Sequence, residues 1–255
     1  MLYLPGQTPH NLPYDPFKAC VVPRPIGWIS TTSAPSPTPS SPPQHNLAPF
    51  SQFTNLTFDP PYVLFAANQT SASTPTRKDT VVNIECTGKF VWNLATYDLR
   101  NEVNISAQQF PYGTDEFVAA GLEKEFSAHL PGDSGSEGNP VPMVKRSPVK
   151  FECVYHSTLR LPGDGPLGSV DVVVGRVVAV HIADWAVTEG GRLDVARTKP
   201  IARLGYFEYV VVDGEKRFEM VIPGMDEVIL AGLEGSPGKV GRAEARVKAR
   251  VKAKL

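Results

Sequence analysis

Hydrophobic positions along the chain fall mostly into short runs of β-branched and aromatic residues bounded by Pro, Gly or Asn, the pattern of strands rather than helices. Such runs are PYVLFAA (61–67), KFVWNLAT (89–96), VKFECVYHSTLRL (149–161), SVDVVVGRVVAVHIADW (169–185) and LGYFEYVVV (204–212). The Val-rich run at 169–185 is too β-branched to prefer a helix. Helical patterns are fewer: RKDTVVNIECTG, with Gly88 placed to cap its end, LRNEVNISAQQF, and PGMDEVILAGL. Many strands with a few interspersed helices predict a mainly β protein, a barrel or sandwich with helical connections. Two segments interrupt that frame: the Pro/Ser stretch APSPTPSSPPQ (34–44) and the polar, Gly-rich LPGDSGSEGNP (130–140). Both read as surface loops.

Composition changes this picture little. The 255 residues are 42% hydrophobic and 20% charged, which suits a folded domain and excludes general disorder. No apolar run approaches the roughly 20 residues that span a bilayer, and the opening MLYLPGQTPHNLPYD lacks the features of a secretory or transit signal. The expected compartment is therefore the cytosol. Cys20, Cys86 and Cys153 are odd in number and widely spaced, so they read as buried small hydrophobes rather than a disulfide framework or zinc site. The five histidines show no metal-ligand spacing, and no metal is expected. Charge is uneven. From Lys239 onward seven basic residues face the single Glu244, so the rest of the chain sums to about −7 within a net charge of −1. The tail reads as a solvated Ala-rich helical end, with attraction to nucleic acid or an anionic membrane as the alternative.

Candidate chemistry lies elsewhere. In VVPRPIGWISTTS (21–33), Arg24 stands between two prolines and a strand then delivers Ser30, Thr31, Thr32 and Ser33. A buried strand has no use for that cation and hydroxyl row, whereas an anion would. In RKDTVVNI, Arg77 and Lys78 precede Asp79 and Thr80 at a predicted helix N-terminus, where amides, dipole and cations make a phosphate cradle. Capping by Asp79 or Thr80 is the plainer reading. Between these segments NLAPFSQFTNLTF mixes Asn46, Ser51 and Thr54 with Leu47, Phe50 and Phe53. That blend suits the faces and edge of a flat heteroaromatic ligand, or a half-buried antiparallel strand. His45, adjoining Asn46, is the histidine nearest that stretch. A Walker-type loop is excluded, because GSPGKVG has the wrong glycine spacing and Val240 where Ser or Thr should stand. No GxGxxG follows a strand, which argues against a Rossmann domain.

Six ordered blocks, PRPIGWIST, NLAPFSQF, TFDPPYVLF, KDTVVNI with TGKFVWNL, PVKFEC and RLDVARTKPIARLGYFEY, resemble the flavin reductase-like, FMN-binding split-barrel family, flavoredoxin branch. The resemblance spans about residues 14–210. It implies a six-stranded Greek-key split β-barrel over 1–213, a homodimer, and FMN near the dimer interface, with 214–255 left as an extension ending in the basic tail. It places the FMN phosphate on Ser30, Thr31 and Thr32 and on Lys78, Asp79 and Thr80. The ring is placed along Pro25, Ile26, Asn46, Leu47, Ala48 and Pro49, with Ser51 and Phe53 close by. Arg24 is set at the ligand, or in an ion pair across the dimer. The implied function is a flavin oxidoreductase that passes electrons from NADH or NADPH through FMN to an acceptor, with neither nucleic acid nor membrane as a partner. Two other functions stay open: an FMN-binding electron carrier without pyridine-nucleotide activity, and an interaction module acting through its basic tail. The long 34–44 loop, anchored at both ends beside the implied flavin, is expected to form a stiff rim that narrows the donor or acceptor entrance, or else to be a solvated connection.

Overall fold

The computed structural model describes residues 1–35, 42–69, 77–134, 138–164, 168–218 and 220. The helix expected at PGMDEVILAGL and the basic tail lie outside the described residues. Contacts divide the chain into Met1–Gly214 and Glu215–Leu255; the following concerns the first unit.

A one-turn helix α1 (Phe17–Cys20) leads through β1 (Arg24–Pro25) into β2 (Gly27–Thr32), followed by β3 (His45–Phe50), β4 (Phe53–Phe58) and β5 (Pro61–Asn68). Helix α2 (Asp79–Thr87) precedes β6 (Lys89–Asn93), α3 (Arg100–Ile105) and α4 (Glu116–Ala119). Then come the short pair β7 (Lys124–Phe126) and β8 (Pro142–Val144), the long hairpin β9 (Val149–Leu161) and β10 (Val170–Ile182), α5 (Val195–Thr198), β11 (Ile201–Arg203) and β12 (Tyr209–Val211).

The main sheet is antiparallel throughout, in the order β3-β2-β6-β9-β10-β5-β4. Its two outer strands are consecutive in sequence, joined only by Ser51 and Gln52. The chain therefore closes the sheet on itself: β3 pairs with β2 on one side of the bend, and β4 pairs with β5 on the other. Counted as hydrogen-bonded segments, the sheet has seven strands among the described residues. Counted as a barrel, with 45–58 as one bent strand, it has six. Closure leaves no long open edge between these strands. Across the seam, Phe50 of β3 meets Phe65 of β5 with ring centroids 4.7 Å apart.

The barrel interior is one apolar cluster that takes Ile29, Phe50, Val63, Phe65, Phe90, Cys153 and Val173 from six strands, and Val81 and Ile84 from α2. A second cluster on the other side of β2 and β3 contains Ile26, Trp28, Leu47, Val103 and Phe117. Because β2 has a core on each side, all six of its residues are buried. Gly175 sits where β10 shifts register against β9, and a Cβ there would collide with the Phe90 ring. Gly175→Ala is expected to cost about 1–3 kcal/mol through overpacking; thermal unfolding of the purified variant measures it.

Most predicted elements are present, with three differences. The run 204–212 is strand only at Tyr209–Val211. It begins as a tight turn in which Leu204 and Glu208 pair through their backbones, Tyr206 adopts a positive φ, and Gly205 approaches Ala19 too closely for a side chain. The helix expected over 99–110 ends at Ile105. Of the three cysteines only Cys153 is buried, while Cys20 and Cys86 are exposed. The reading of all three as core hydrophobes is corrected: on the short helix α1 and on α2 those two positions lie on the solvent side.

Candidate functional site

A cleft of about 520 Å³ opens between three pieces of chain. One wall is β3, which contributes Asn46, Ala48, Pro49 and Phe50. A second is Arg77–Thr80 at the start of α2, and the third is the segment 106–112, with Glu116 of α4 behind it. The volume falls in the range of cofactor and ligand sites. Its lining combines apolar surface with amides and with the charged groups of the second wall.

Helix α2 begins here because Lys78 is extended while Asp79 enters the first turn, where a carboxylate complements the helix dipole. Gly88 ends the helix in the left-handed conformation, donating its N–H to Ile84 O. The Asp79 carboxyl accepts from the Gly113 N–H, which ties α2 to the third wall, yet burial outweighs that bond and pushes its pKa up. Lys78 is half-buried. Burial pulls its ammonium below the usual lysine range, opposed by the Asp79 charge, and among the described residues it makes no ion pair. Arg77, by contrast, is fully engaged: it donates to both oxygens of Glu85 at 2.6 Å and through Nε to Asp171 at 3.0 Å. Asp171, buried on β10, also accepts from Arg160 at 2.8 Å.

That carboxylate anchors the second wall to the barrel. Burial alone would raise its pKa, but the bonds from Arg160 and Arg77 prevail and lower it. Glu85 is likewise lowered, first by its bond to Arg77. Carboxylates with depressed folded-state pKa values contribute stability that is present above their unfolded pKa and is lost as pH falls through the folded one. Asp171→Asn is therefore expected to cost about 1.5–3 kcal/mol at pH 7 and to flatten the fall in stability below about pH 4. Denaturant unfolding across pH measures both effects.

Asn46 is held from several sides. Its Oδ1 accepts from Thr80 Oγ1 at 2.7 Å and from Thr31 Oγ1 at 3.3 Å, and its Nδ2 donates to Glu116 Oε2 at 3.1 Å. Thr31 Oγ1 in turn accepts from Asn83 Nδ2 at 3.0 Å. Glu116 Oε2 also accepts from the Leu47 N–H at 2.9 Å. Burial pushes the Glu116 pKa up; the donors from Leu47, Glu116 itself and Asn46 oppose it, and the Asp79 charge adds to it.

Of the residues expected at a ligand, Asn46, Ala48, Pro49, Lys78, Asp79 and Thr80 line this cleft together. The others lie elsewhere. Ser30, Thr31 and Thr32 are fully buried: Ser30 accepts from Asn93 Nδ2, Thr31 joins the Asn46 network, and Thr32 donates to Asn139. The hydroxyl row is thus internal bonding behind the wall, not a free anion surface. Ile26 and Leu47 belong to the second core. Pro25 is exposed on β1, Ser51 sits at the barrel bend, and Phe53 stacks on Trp92 at 5.3 Å. The Arg24 guanidinium bonds the carbonyls of Lys18, Val21 and Leu204, clasping the N-terminal segment to the β11–β12 turn. His45 bonds Lys124 and lies beside Asp115; burial and Lys124 lower its pKa. Residues 36–41 of the expected rim lie outside the described residues. The loop's described ends meet Cys86 and Tyr112 in a neighbouring cleft of about 310 Å³.

The third wall was missed because its residues read as the end of a helix. The turn Pro111-Tyr112-Gly113 directly after Gln108-Gln109-Phe110 was the available signal, amides and aromatics followed by a break.

This arrangement has known counterparts. Residues 19–200 match the family described as "Flavin reductase like domain". The chain belongs to the flavin reductase-like family. A protein of Aquifex aeolicus (strain VF5) is 28% identical over 220 residues, covering 86% of this chain and 100% of its own. The crystal structure of nitrilotriacetate monooxygenase component B from Bacillus cereus superposes with a TM-score of 0.70 at 26% identity, over 86% of this chain and 98% of that one. The flavoredoxin of Desulfovibrio vulgaris (Miyazaki F) shares the fold, with a TM-score of 0.58 at 16% identity over 80% and 94% of the two chains. The split barrel named for one solved neighbour is the closed sheet described above. Among the described residues no helix is long and apolar enough to cross a membrane.

Proposed function

We propose that the cleft binds FMN non-covalently and that the protein is a flavin oxidoreductase using NADH or NADPH as donor. The observation that carries this reading is Lys78: a half-buried cation at the N-terminal turn of α2, facing the apolar and amide surface of β3 across the cleft. A phosphate beside Lys78 and the α2 amides restores what burial takes from the ammonium. Ala48, Pro49 and Phe50 then offer the face of a flat ring its apolar contact, and Asn46 offers its edge a polar one. Bound FMN would supply the redox chemistry, hydride uptake from NAD(P)H and electron transfer to an acceptor. The chain's own task is to bind, orient and shield. Purified protein mixed with FMN is expected to retain a yellow chromophore through gel filtration, and NADH or NADPH to bleach it without air. Retained FMN that neither nucleotide reduces would identify an electron carrier instead. Failure to retain FMN would reject the flavin site.

The proposal extends to a symmetric homodimer. On the β9–β10 hairpin Leu159 and Leu161 near the tip, and Val178, Val180 and Ile182 at the other end of β10, are exposed, apolar surface of the kind that marks an interface. Sedimentation at micromolar concentration is expected to give about twice the chain mass of 27.7 kDa; a single species at that mass would exclude the dimer.

A further inference from the structure

Glu116 is a buried carboxylate, 6% exposed, on the one-turn helix α4. Local structure aims it. Asp115 caps α4 by accepting from the N–H groups of Phe117 and Val118, and Phe117 is fully buried in the second core. The helix is thus pinned against β3 with Glu116 at the cleft. The side chain then has two outside donors, the Leu47 N–H and Asn46 Nδ2, both on the same oxygen.

The bonding around Asn46 admits one amide orientation. Thr31 Oγ1 accepts a hydrogen bond from Asn83 Nδ2 and donates its own hydrogen to Asn46 Oδ1. Thr80 Oγ1 gives a second, and both acceptor positions of that oxygen are filled. With Glu116 ionised, turning the amide over would set Oδ1 against its carboxylate, two acceptors with no proton between them. Nδ2 carries two hydrogens, and one goes to Glu116. Among the described residues the other has no protein partner, and Asn46 lines the cleft.

We propose that Glu116 is a positioning residue: its carboxylate locks the Asn46 amide so that the remaining N–H is presented as a donor to an acceptor edge of the planar ligand in the cleft. This rests on the FMN reading and goes beyond it by assigning how the site selects its ligand. Acceptor edges, such as a pyrimidine-dione carbonyl or an unprotonated ring nitrogen, are favoured, and a ring presenting only N–H groups there is rejected.

A double-mutant cycle on FMN affinity, read by flavin fluorescence, tests it. Glu116→Met keeps the length of the side chain and removes the oxygen that accepts from both Asn46 Nδ2 and the Leu47 N–H. It is expected to weaken FMN binding about tenfold, with Asn46→Ala giving a loss of similar size. Because Glu116 acts through Asn46, the double variant should bind no worse than Asn46→Ala alone. Additive losses would overturn the proposal, since they mean that Glu116 acts independently. Thermal melting of each apoprotein separates lost folding from lost affinity. A measurement on the unaltered protein covers variants that fail to fold: in 15N-labelled protein, one of the two Asn46 side-chain amide protons should move downfield on FMN addition while the other stays. If neither moves although FMN binds, the proposal fails and the flavin reading stands. If the protein takes up no FMN, both fail.

Discussion

Lys78→Ala is expected to weaken FMN binding by roughly 10- to 150-fold, since charge-assisted hydrogen bonds contribute about 1.5–3 kcal/mol and each 1.4 kcal/mol is a factor of ten. The structure makes this cation a strong candidate for the phosphate because its neighbour is not one. Arg77, next in sequence, is committed to Glu85 and Asp171, whereas Lys78 is half-desolvated beside a helix N-terminus. Its removal should leave thermal stability of the apoprotein nearly constant, because it relieves a half-desolvated charge and breaks no ion pair among the described residues. Fluorescence titration of FMN into wild type and variant measures the loss. Unchanged affinity in a folded variant would move the phosphate site away from α2.

Phe65→Ala is expected to cost about 3–5 kcal/mol, the usual range for emptying a fully buried aromatic position. Phe65 has no exposed surface and packs against Phe50 at 4.7 Å and edge-on to Phe90 at 6.0 Å. Phe50 is also part of the cleft lining. The cavity therefore opens behind the cleft wall, and FMN affinity should fall together with stability. Denaturant unfolding gives the first quantity and fluorescence titration the second. A variant that loses stability but binds FMN as wild type does would show that the wall keeps its shape without support from the seam.

The strands were legible because their β-branched runs are long and well punctuated: β5, β9 and β10 begin and end within a few residues of the apolar runs. Gly88 marked the end of α2 correctly, since only a left-handed residue makes that turn cheaply. Part of the cleft lining was visible for the same local reasons, in Asn46, Ala48 and Pro49 and in Lys78–Thr80. What stayed hidden depends on which way a side chain faces after the sheet closes. Ser30, Thr31 and Thr32 look like free hydroxyls in a linear reading, but a strand with a core on each side turns every one of them inward. Arg24 looks like a ligand group, and its partners are carbonyls in α1, the segment after it, and a turn that follows it by 180 residues. Glu116 gave no signal, because a lone carboxylate in DEF acquires meaning only when α4 is laid against β3.

The bent strand 45–58 has a consequence for how this protein can change over time. One half of it lines the cleft and the other completes the ring of the barrel, so a substitution that reshapes the cleft wall also loads the joint on which closure depends. Variation in what the cleft accepts is therefore expected to accumulate where chain can be lengthened, shortened or repainted without touching that joint. Residues 107–112 meet this condition: they follow α3 and the buried Ser106, line the cleft, and lead to Gly113. Libraries aimed at changing what the cleft accepts belong there, with β3 held constant.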